Sequence, residues 1–342
     1  MAGGIGSRFW PHSTVEHPKQ FIDITGSGTT LIEDTLQRFE GVIPVENTWV
    51  VTSERYADQV YALLPQLPRA QVLLEPCMRN TAPCVAYAVW RIRKGNPCAN
   101  LVVTPADHHV ADVAEFKRVI RRGLRFTALG NSILTLGILP ERPETGYGYI
   151  RAAAREGEIL PVESFREKPD LQTACRYLSE GGYYWNSGIF LWRADRIAEM
   201  IRLHLPDTAE RFDRLSLYFD TPLEEQVKRE VFAASESVSI DYGVMERAEG
   251  VWVLPARFGW SDLGTWSALH ALSDHLRDEA ANTVIGDGVR MVESRNCMVH
   301  LPSGKRVVLQ GLDGFIVTEC DGILMVCRME EEQRIKDFST LV

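Results

Sequence analysis

Three glycines within four positions, Gly3, Gly4 and Gly6, are followed by Arg8 and, after an extended run closed by Pro18, by Lys19. Backbone without Cβ atoms can turn sharply, and successive free N–H groups in such a turn form a concavity for anions. Arg8 adds a planar, permanently charged fork, and Lys19 adds a compact mobile cation. Together they describe a site for a polyphosphate. Two common glycine motifs do not fit: a P-loop requires Gly-Lys-Ser/Thr where Gly6-Ser7-Arg8 stands, and a dinucleotide fingerprint requires a further glycine where Phe9 stands.

One acid stands where phosphate chemistry would use it. Asp107 follows the apolar run Leu101-Val102-Val103-Thr104-Pro105, which puts it at the carboxyl end of a strand, the edge where open α/β sheets take their ligands. A bare carboxylate would repel phosphates, so it belongs there with a metal between them, and Mg²⁺ needs only one or two such ligands; a turn aspartate is the plainer alternative. Asp262 precedes an apolar-periodic stretch, which taken alone reads as a helix N-cap. Glu167-Lys168-Pro169 taken alone describes solvated surface, and Asn80 before Thr81-Ala82-Pro83 taken alone reads as a turn or cap residue. His108 and His109 beside Asp107 have no partner spacing that makes them metal ligands, and no role is assigned to them.

The segment from Met1 to Phe21 resembles the signature of the sugar nucleotidyltransferases, Gly-Gly-x-Gly-x-Arg with a later Pro-Lys. Phe9-Trp10-Pro11 and Pro18-Lys19-Gln20-Phe21 resemble the mannose-1-phosphate guanylyltransferase branch in particular. The likeness continues in order through Pro105-Ala106-Asp107, Gly146-Tyr147-Gly148, Glu167-Lys168-Pro169 and Trp185-Asn186-Ser187-Gly188, then Ser239-Ile240-Asp241-Tyr242-Gly243 and Gly259-Trp260-Ser261-Asp262-Leu263-Gly264. What it implies is transfer of GMP from GTP to α-D-mannose 1-phosphate, giving GDP-mannose and pyrophosphate. By the same resemblance Arg8, Lys19, Asp107 and Asp262 carry catalysis, with Mg²⁺ on the two aspartates. Ala2, Gly3, Gly4, Gly6, Ser7, Arg8 and Asn80 would hold the nucleotide, and Gly146, Glu167, Lys168 and Asn186 the sugar phosphate. Asp241 is as well read as structural as binding. Another hexose 1-phosphate or purine, or a non-catalytic nucleotide-sugar sensor, remains open.

The elements that must position these residues follow from pattern. Thr30-Leu31-Ile32-Glu33 is a capping box that opens a helix. Strand-like runs at 48–52, 71–74 and 101–104 alternate with helical stretches, which predicts an α/β fold with a doubly wound, mostly parallel sheet, Rossmann-like in the manner the resemblance implies. From Ser132 the rhythm changes, as for an insertion that adds antiparallel strands and a lid and carries the second substrate. Beyond about Asn282 short β-prone runs punctuated by glycines predict a small β module closed by a helix over 330–337. The expected division is therefore 1–275 for catalysis and 276–342 for the β module, which the resemblance implies is a short left-handed β-helix used for dimerisation. In relatives of this kind the glycine loop follows a buried strand; here Met1 stands one residue before Ala2-Gly3-Gly4, which predicts a trimmed start.

Composition bounds the partners. A chain of 342 residues with 45% hydrophobic and 24% charged content is long enough for one large core and an appendage. A formal net charge of -9 argues against a nucleic-acid partner and obliges a nucleotide site to concentrate its cations locally or recruit a metal. Seven cysteines without a Cys-x-x-Cys pair fit reduced thiols in a cytoplasmic protein. No run approaches the ~18 apolar residues of a membrane span.

Overall fold

The computed structural model describes residues 1–4 and 6–341, so Ile5, inside the glycine loop, and Val342 lie outside the described residues. The chain folds as two compact units. The larger takes Met1–Gly3, Arg38–Pro105 and Val110–Trp260; the smaller gathers Gly4–Gln37, Ala106–His109 and Ser261–Val342.

In chain order the elements begin with α1 (Leu31–Gln37), β1 (Val50–Ser53), α2 (Ala57–Leu63), β2 (Val72–Glu75), α3 (Thr81–Gly95), β3 (Asn100–Val103), β4 (His109–Val110) and α4 (Val113–Ala128). There follow β5 (Ile133–Ile138), β6 (Tyr149–Ala152), β7 (Leu160–Arg166), α5 (Leu171–Glu180), β8 (Tyr183–Arg193), α6 (Ala194–His204), α7 (Pro206–Ser216), α8 (Glu224–Ala234), β9 (Val251–Ala256) and β10 (Trp260–Ser261).

The larger unit is built on a six-stranded sheet in the order β3-β8-β5-β9-β7-β6. Only β5–β9 runs parallel within it, since β8 is antiparallel to β3, β5 and β6, and β7 is antiparallel to β6 and β9. The expected mostly parallel sheet is therefore corrected to a mixed one. Strand–helix alternation allows a crossover to a parallel neighbour but does not choose the neighbour. Here β8, an eleven-residue strand buried along most of its length, with Tyr183-Tyr184-Trp185 and Ile189-Phe190-Leu191-Trp192 flanking Asn186-Ser187-Gly188, arrives from the second half of the chain and slots between β3 and β5. Such a strand, buried on both faces, has the same sequence signature in either direction.

Helices cover this sheet for ordinary reasons. Asp112 caps α4 by accepting the Glu115 N–H at 2.9 Å, and the helix turns Phe116, Val119, Ile120 and Gly123 inward. Asp170 caps α5 through the Thr173 N–H at 2.8 Å. Helix α3 buries Val85, Ala86, Val89 and Trp90 in a core shared with Phe212 and Phe232, and each large apolar side chain so buried is worth roughly 2 kcal/mol. At the start of the chain the Ala2 N–H donates to the Val51 carbonyl at 2.8 Å, Ala2 bridges Thr52 in parallel, and the Met1 amino group donates to the Thr104 carbonyl at 2.9 Å. The first two residues are thus hydrogen-bonded to β1 and to the residue that follows β3.

In the smaller unit the Thr30 capping box forms as its spacing predicts: the Thr30 N–H and hydroxyl both donate to Glu33 Oε2, at 2.8 and 2.6 Å. Its other elements are α9 (Trp266–Leu272), β11 (Thr283–Ile285), β12 (Val289–Val292), β13 (Met298–His300), β14 (Val307–Gln310), β15 (Phe315–Cys320), β16 (Ile323–Arg328) and a closing 3₁₀ turn, Met329–Arg334, that runs into α10 (Ile335–Phe338). Successive strands alternate between two sheets: β11, β13 and β15 pair in parallel, and so do β12 and β14, while β16 folds back antiparallel on β15. One core of this unit joins Phe9, Leu31, Leu263, Trp266, Met298, Ile316 and Ile335, so the glycine-loop segment and the last strands share their hydrophobic packing.

Candidate active site

The phosphate candidates from Gly4 onward, apart from Asn80, fall in the smaller unit. Gly6 has φ +69, and a Cβ there would stand 2.5 Å from the Cβ of Lys19, so only glycine lets the turn close onto the Lys19 segment. A Cβ at Gly3 or Gly4 would meet nothing within 4 Å, so protein packing does not account for glycine at those two positions. After Gly6, a 3₁₀ turn over Ser7–Phe9 buries Phe9 edge-on against Trp266 at 5.0 Å and leaves Arg8 exposed.

Lys19 is only 4% exposed, and its ammonium is fully engaged. It donates to the carbonyls of Asp262 at 2.7 Å and Leu263 at 3.1 Å and pairs with Asp107 Oδ2 at 3.0 Å. Three donors thus reach three acceptors, and one side chain ties both acid-bearing segments together. Burial alone would push Asp107 up, but Lys19 and then His108 outweigh it and hold the carboxyl below the ordinary aspartate range. Asp262 lies in a tight turn where its Oδ1 accepts the Gly264 N–H at 3.0 Å, and Leu263 sits at φ 45. The helix-cap alternative for Asp262 goes to Thr265, whose side chain accepts the Ala268 N–H at 3.2 Å at the start of α9.

A cavity of about 470 Å³ brings these groups together: Gly6, Ser7, Arg8, Lys19, Asp107 and Asp262 all line it. His108, which sequence spacing left without a role, lines it as well and sits 3.8 Å from Asp107 Oδ1. Gln333 and Lys336 complete the wall from the far end of the chain, and no local pattern could have signalled them. Among the described residues no group of three or more His, Cys, Asp or Glu side chains is placed to hold a metal ion. Two aspartates, one of them held ionised, nevertheless suit a hard divalent cation whose other ligands are phosphate and water oxygens.

The sugar candidates fall in the larger unit. Asn186, 9% exposed in β8, is oriented at both ends of its amide: Oδ1 accepts from Thr135 Oγ1 at 3.1 Å, and Nδ2 donates to Asp241 Oδ1 at 2.8 Å. Its N–H donates to the Gly148 carbonyl at 2.8 Å. Glu167 presses so closely on Gly148 that a Cβ there would lie 2.3 Å from Glu167 Oε2. The Glu167 N–H donates to Glu246 Oε1 at 2.8 Å, and the Lys168 ammonium stands 3.5 Å from Glu167 Oε1. Burial, then the Asp241 charge, raises the Glu167 carboxyl to about 7 against the pull of Lys168, and burial raises Asp241 too. The structure thus gathers Glu167, Lys168 and Asn186 with Asp241 and Glu246, two acids that were not assigned to this cluster. Gly146 contributes differently, its N–H taken by Glu144 Oε1 at 3.0 Å. Asn80 caps α3 by accepting the Thr81 N–H at 2.8 Å, with φ 65.

Comparison with known proteins shows the family. A family model described as nucleotidyl transferase matches residues 1–279. A mannose-1-phosphate guanylyltransferase of Escherichia coli K12 is 37% identical over 96% of this chain and 70% of its own length. An alginate biosynthesis protein, AlgA, of Pseudomonas syringae is 36% identical over 98% of this chain and 69% of its own. A crystal structure from Thermus thermophilus, described as a mannose-1-phosphate geranyltransferase, superposes with a TM-score of 0.89 at 34% identity, over 100% of this chain and 97% of that one.

Proposed function

The chain belongs to the nucleotidyl transferase family, and we propose that it transfers GMP from GTP to α-D-mannose 1-phosphate, giving GDP-mannose and pyrophosphate. The observation that carries this reading is the single cavity in which Asp107, Asp262, Lys19, Arg8 and the Gly6 turn meet, joined to relatives named for that activity. Ala2, Gly3, Gly4, Gly6, Ser7 and Arg8 take the nucleotide phosphates, with Asn80 near the base. Gly146, Glu167, Lys168 and Asn186 take the sugar phosphate.

At neutral pH the sugar phosphate oxygen is already anionic, so its attack on the α-phosphorus needs no protein base. The bond from the α-phosphorus to the bridging oxygen breaks as the new one forms, and pyrophosphate leaves with the electron pair. What the chain must supply is in-line positioning and relief of repulsion among phosphates. Arg8 and the loop N–H groups hold the departing end, while Lys19 fixes the two acids and Lys168 offsets the sugar phosphate charge. Asp107 and Asp262 would hold Mg²⁺, which supplies charge neutralisation among the phosphate oxygens when bound.

The same reading makes residues 1–275 the catalytic part and 276–342 a small β module. The alternation of β11 to β15 between two parallel sheets supports a short β-helix there; that it is left-handed and serves a homodimer is part of the same proposal. Among the described residues no helix is long and apolar enough to cross a membrane; a cytoplasmic location belongs to the proposal as well. The test is pyrophosphate release with GTP or ATP paired with mannose or glucose 1-phosphate, repeated with EDTA. Release confined to GTP with mannose 1-phosphate and abolished by EDTA is expected. Preference for another pair reassigns the substrates, and tight GDP-mannose binding without release makes the protein a sensor.

A further inference from the structure

The cavity wall carries one cation that nothing above employs. Lys336 comes from α10, near the end of the chain, and lines the cavity beside Arg8 and the Gly6 turn. We infer that Lys336 is a third cation of the triphosphate site and binds the outer phosphates, which depart as pyrophosphate. The inference rests on the nucleotidyl-transfer reading and adds a residue to it.

Three observations point this way. The first is anchorage. Glu332 is 9% exposed and accepts the Ser267 N–H at 2.9 Å in the first turn of α9, and Ile335 is fully buried in the core that holds Phe9 and Trp266. The backbone that presents Lys336 is therefore fixed on the same core as the glycine-loop turn. The second is charge. Within the cavity wall Arg8 and Lys19 only match Asp107 and Asp262, and Lys19 is already spent on Asp107. A protein of net charge -9 needs a locally positive wall to attract a polyanion, and Lys336 makes the wall positive. The third is contrast along the segment. Arg334 pairs with Glu331 at 2.8 Å and lies over the Phe338 ring at 5.4 Å, whereas among the described residues no ion pair engages the Lys336 ammonium. Lys336 is exposed, so no part of its placement serves core packing. In the reaction it would meet the negative charge that accumulates on the bridging oxygen and the pyrophosphate as the old bond breaks.

The test uses the full chain with Lys336→Gln, Lys336→Arg and Arg334→Gln. Forward synthesis and reverse pyrophosphorolysis are both assayed, and calorimetric titration with Mg²⁺ and inorganic pyrophosphate is run in parallel. We expect Lys336→Gln to raise KM for GTP and for pyrophosphate about tenfold, Lys336→Arg to restore most of that, and KM for mannose 1-phosphate and for GDP-mannose to stay put. Arg334→Gln should leave all four constants unchanged. Pyrophosphate constants within about twofold of wild type in Lys336→Gln would overturn the inference. So would a parallel shift of all four constants together with the unfolding midpoint, since that is what a merely structural lysine produces. If the wild type releases no pyrophosphate from any substrate pair, the functional reading has failed, and the titration alone then decides whether Lys336 binds pyrophosphate.

Discussion

At the scale of single residues, the sugar-binding candidates differ from the phosphate-binding ones in how their charge is held. Asp107 is kept ionised by Lys19 and His108, whereas Glu167 is raised to about 7 by burial and by its neighbour Asp241. In its proposed role, a carboxylate accepting hydrogen bonds from sugar hydroxyls would then be only partly ionised at neutral pH. KM for the sugar phosphate should therefore fall as pH rises through about 7, and the profile should flatten in Glu167→Gln. An equally pH-dependent KM in that variant would assign the effect to the substrate's own phosphate. Asp241, which fixes the Asn186 amide at 2.8 Å, was legible as a motif position but not as a partner, because the contact joins a strand to a distant turn.

At the scale of elements, local rules read well and pairing rules did not. The Thr30–Glu33 box, the Asp170 cap and the helix after Thr81 are set by residues within one turn of each other, and such spacing is visible in sequence. The mixed sheet was not visible, since the partners of β8 lie far away along the chain. Asp262 and Thr265 are both good caps three residues apart, and only the turn at Leu263 decides between them. The glycine loop was legible as a motif, but the reason for one of its glycines is tertiary. Gly6→Ala would place a Cβ 2.5 Å from the Lys19 Cβ at φ +69. It should cost about 2–4 kcal/mol in urea unfolding and lower turnover by displacing Lys19 from the acids. An unchanged midpoint would show that the turn relaxes freely.

At the scale of the whole molecule, acid should act on the two units with opposite sign. In the smaller unit His12 and His300 stack edge to face at 4.2 Å, and burial, first of all, lowers them from 6.5 to about 3 and about 4. Their neutral forms stabilise the fold fully above pH 6.5, and that contribution is lost as pH falls from there toward 4. In the larger unit burial raises Glu75 and Glu167 to about 7 from 4.5, so the folded unit binds protons that the unfolded chain does not, and stability grows as pH falls through that window. Amide exchange, corrected for intrinsic rate, should lose protection at β13 and β15 between about pH 7 and pH 5 while β5 and β8 hold theirs, and His300→Gln should blunt the loss. Uniform loss in both units would contradict this.

The way the smaller unit is gathered from the chain also bears on its birth at the ribosome. Residues 4–37 are made early, yet the compact unit they belong to also draws on Ala106–His109 and on the segment that starts at Ser261. A nascent chain can complete most of the larger unit while its first helix and glycine turn still wait for a surface to fold against. On the proposed function, nucleotide handling would wait until β15, β16 and the helix bearing Lys336 have emerged.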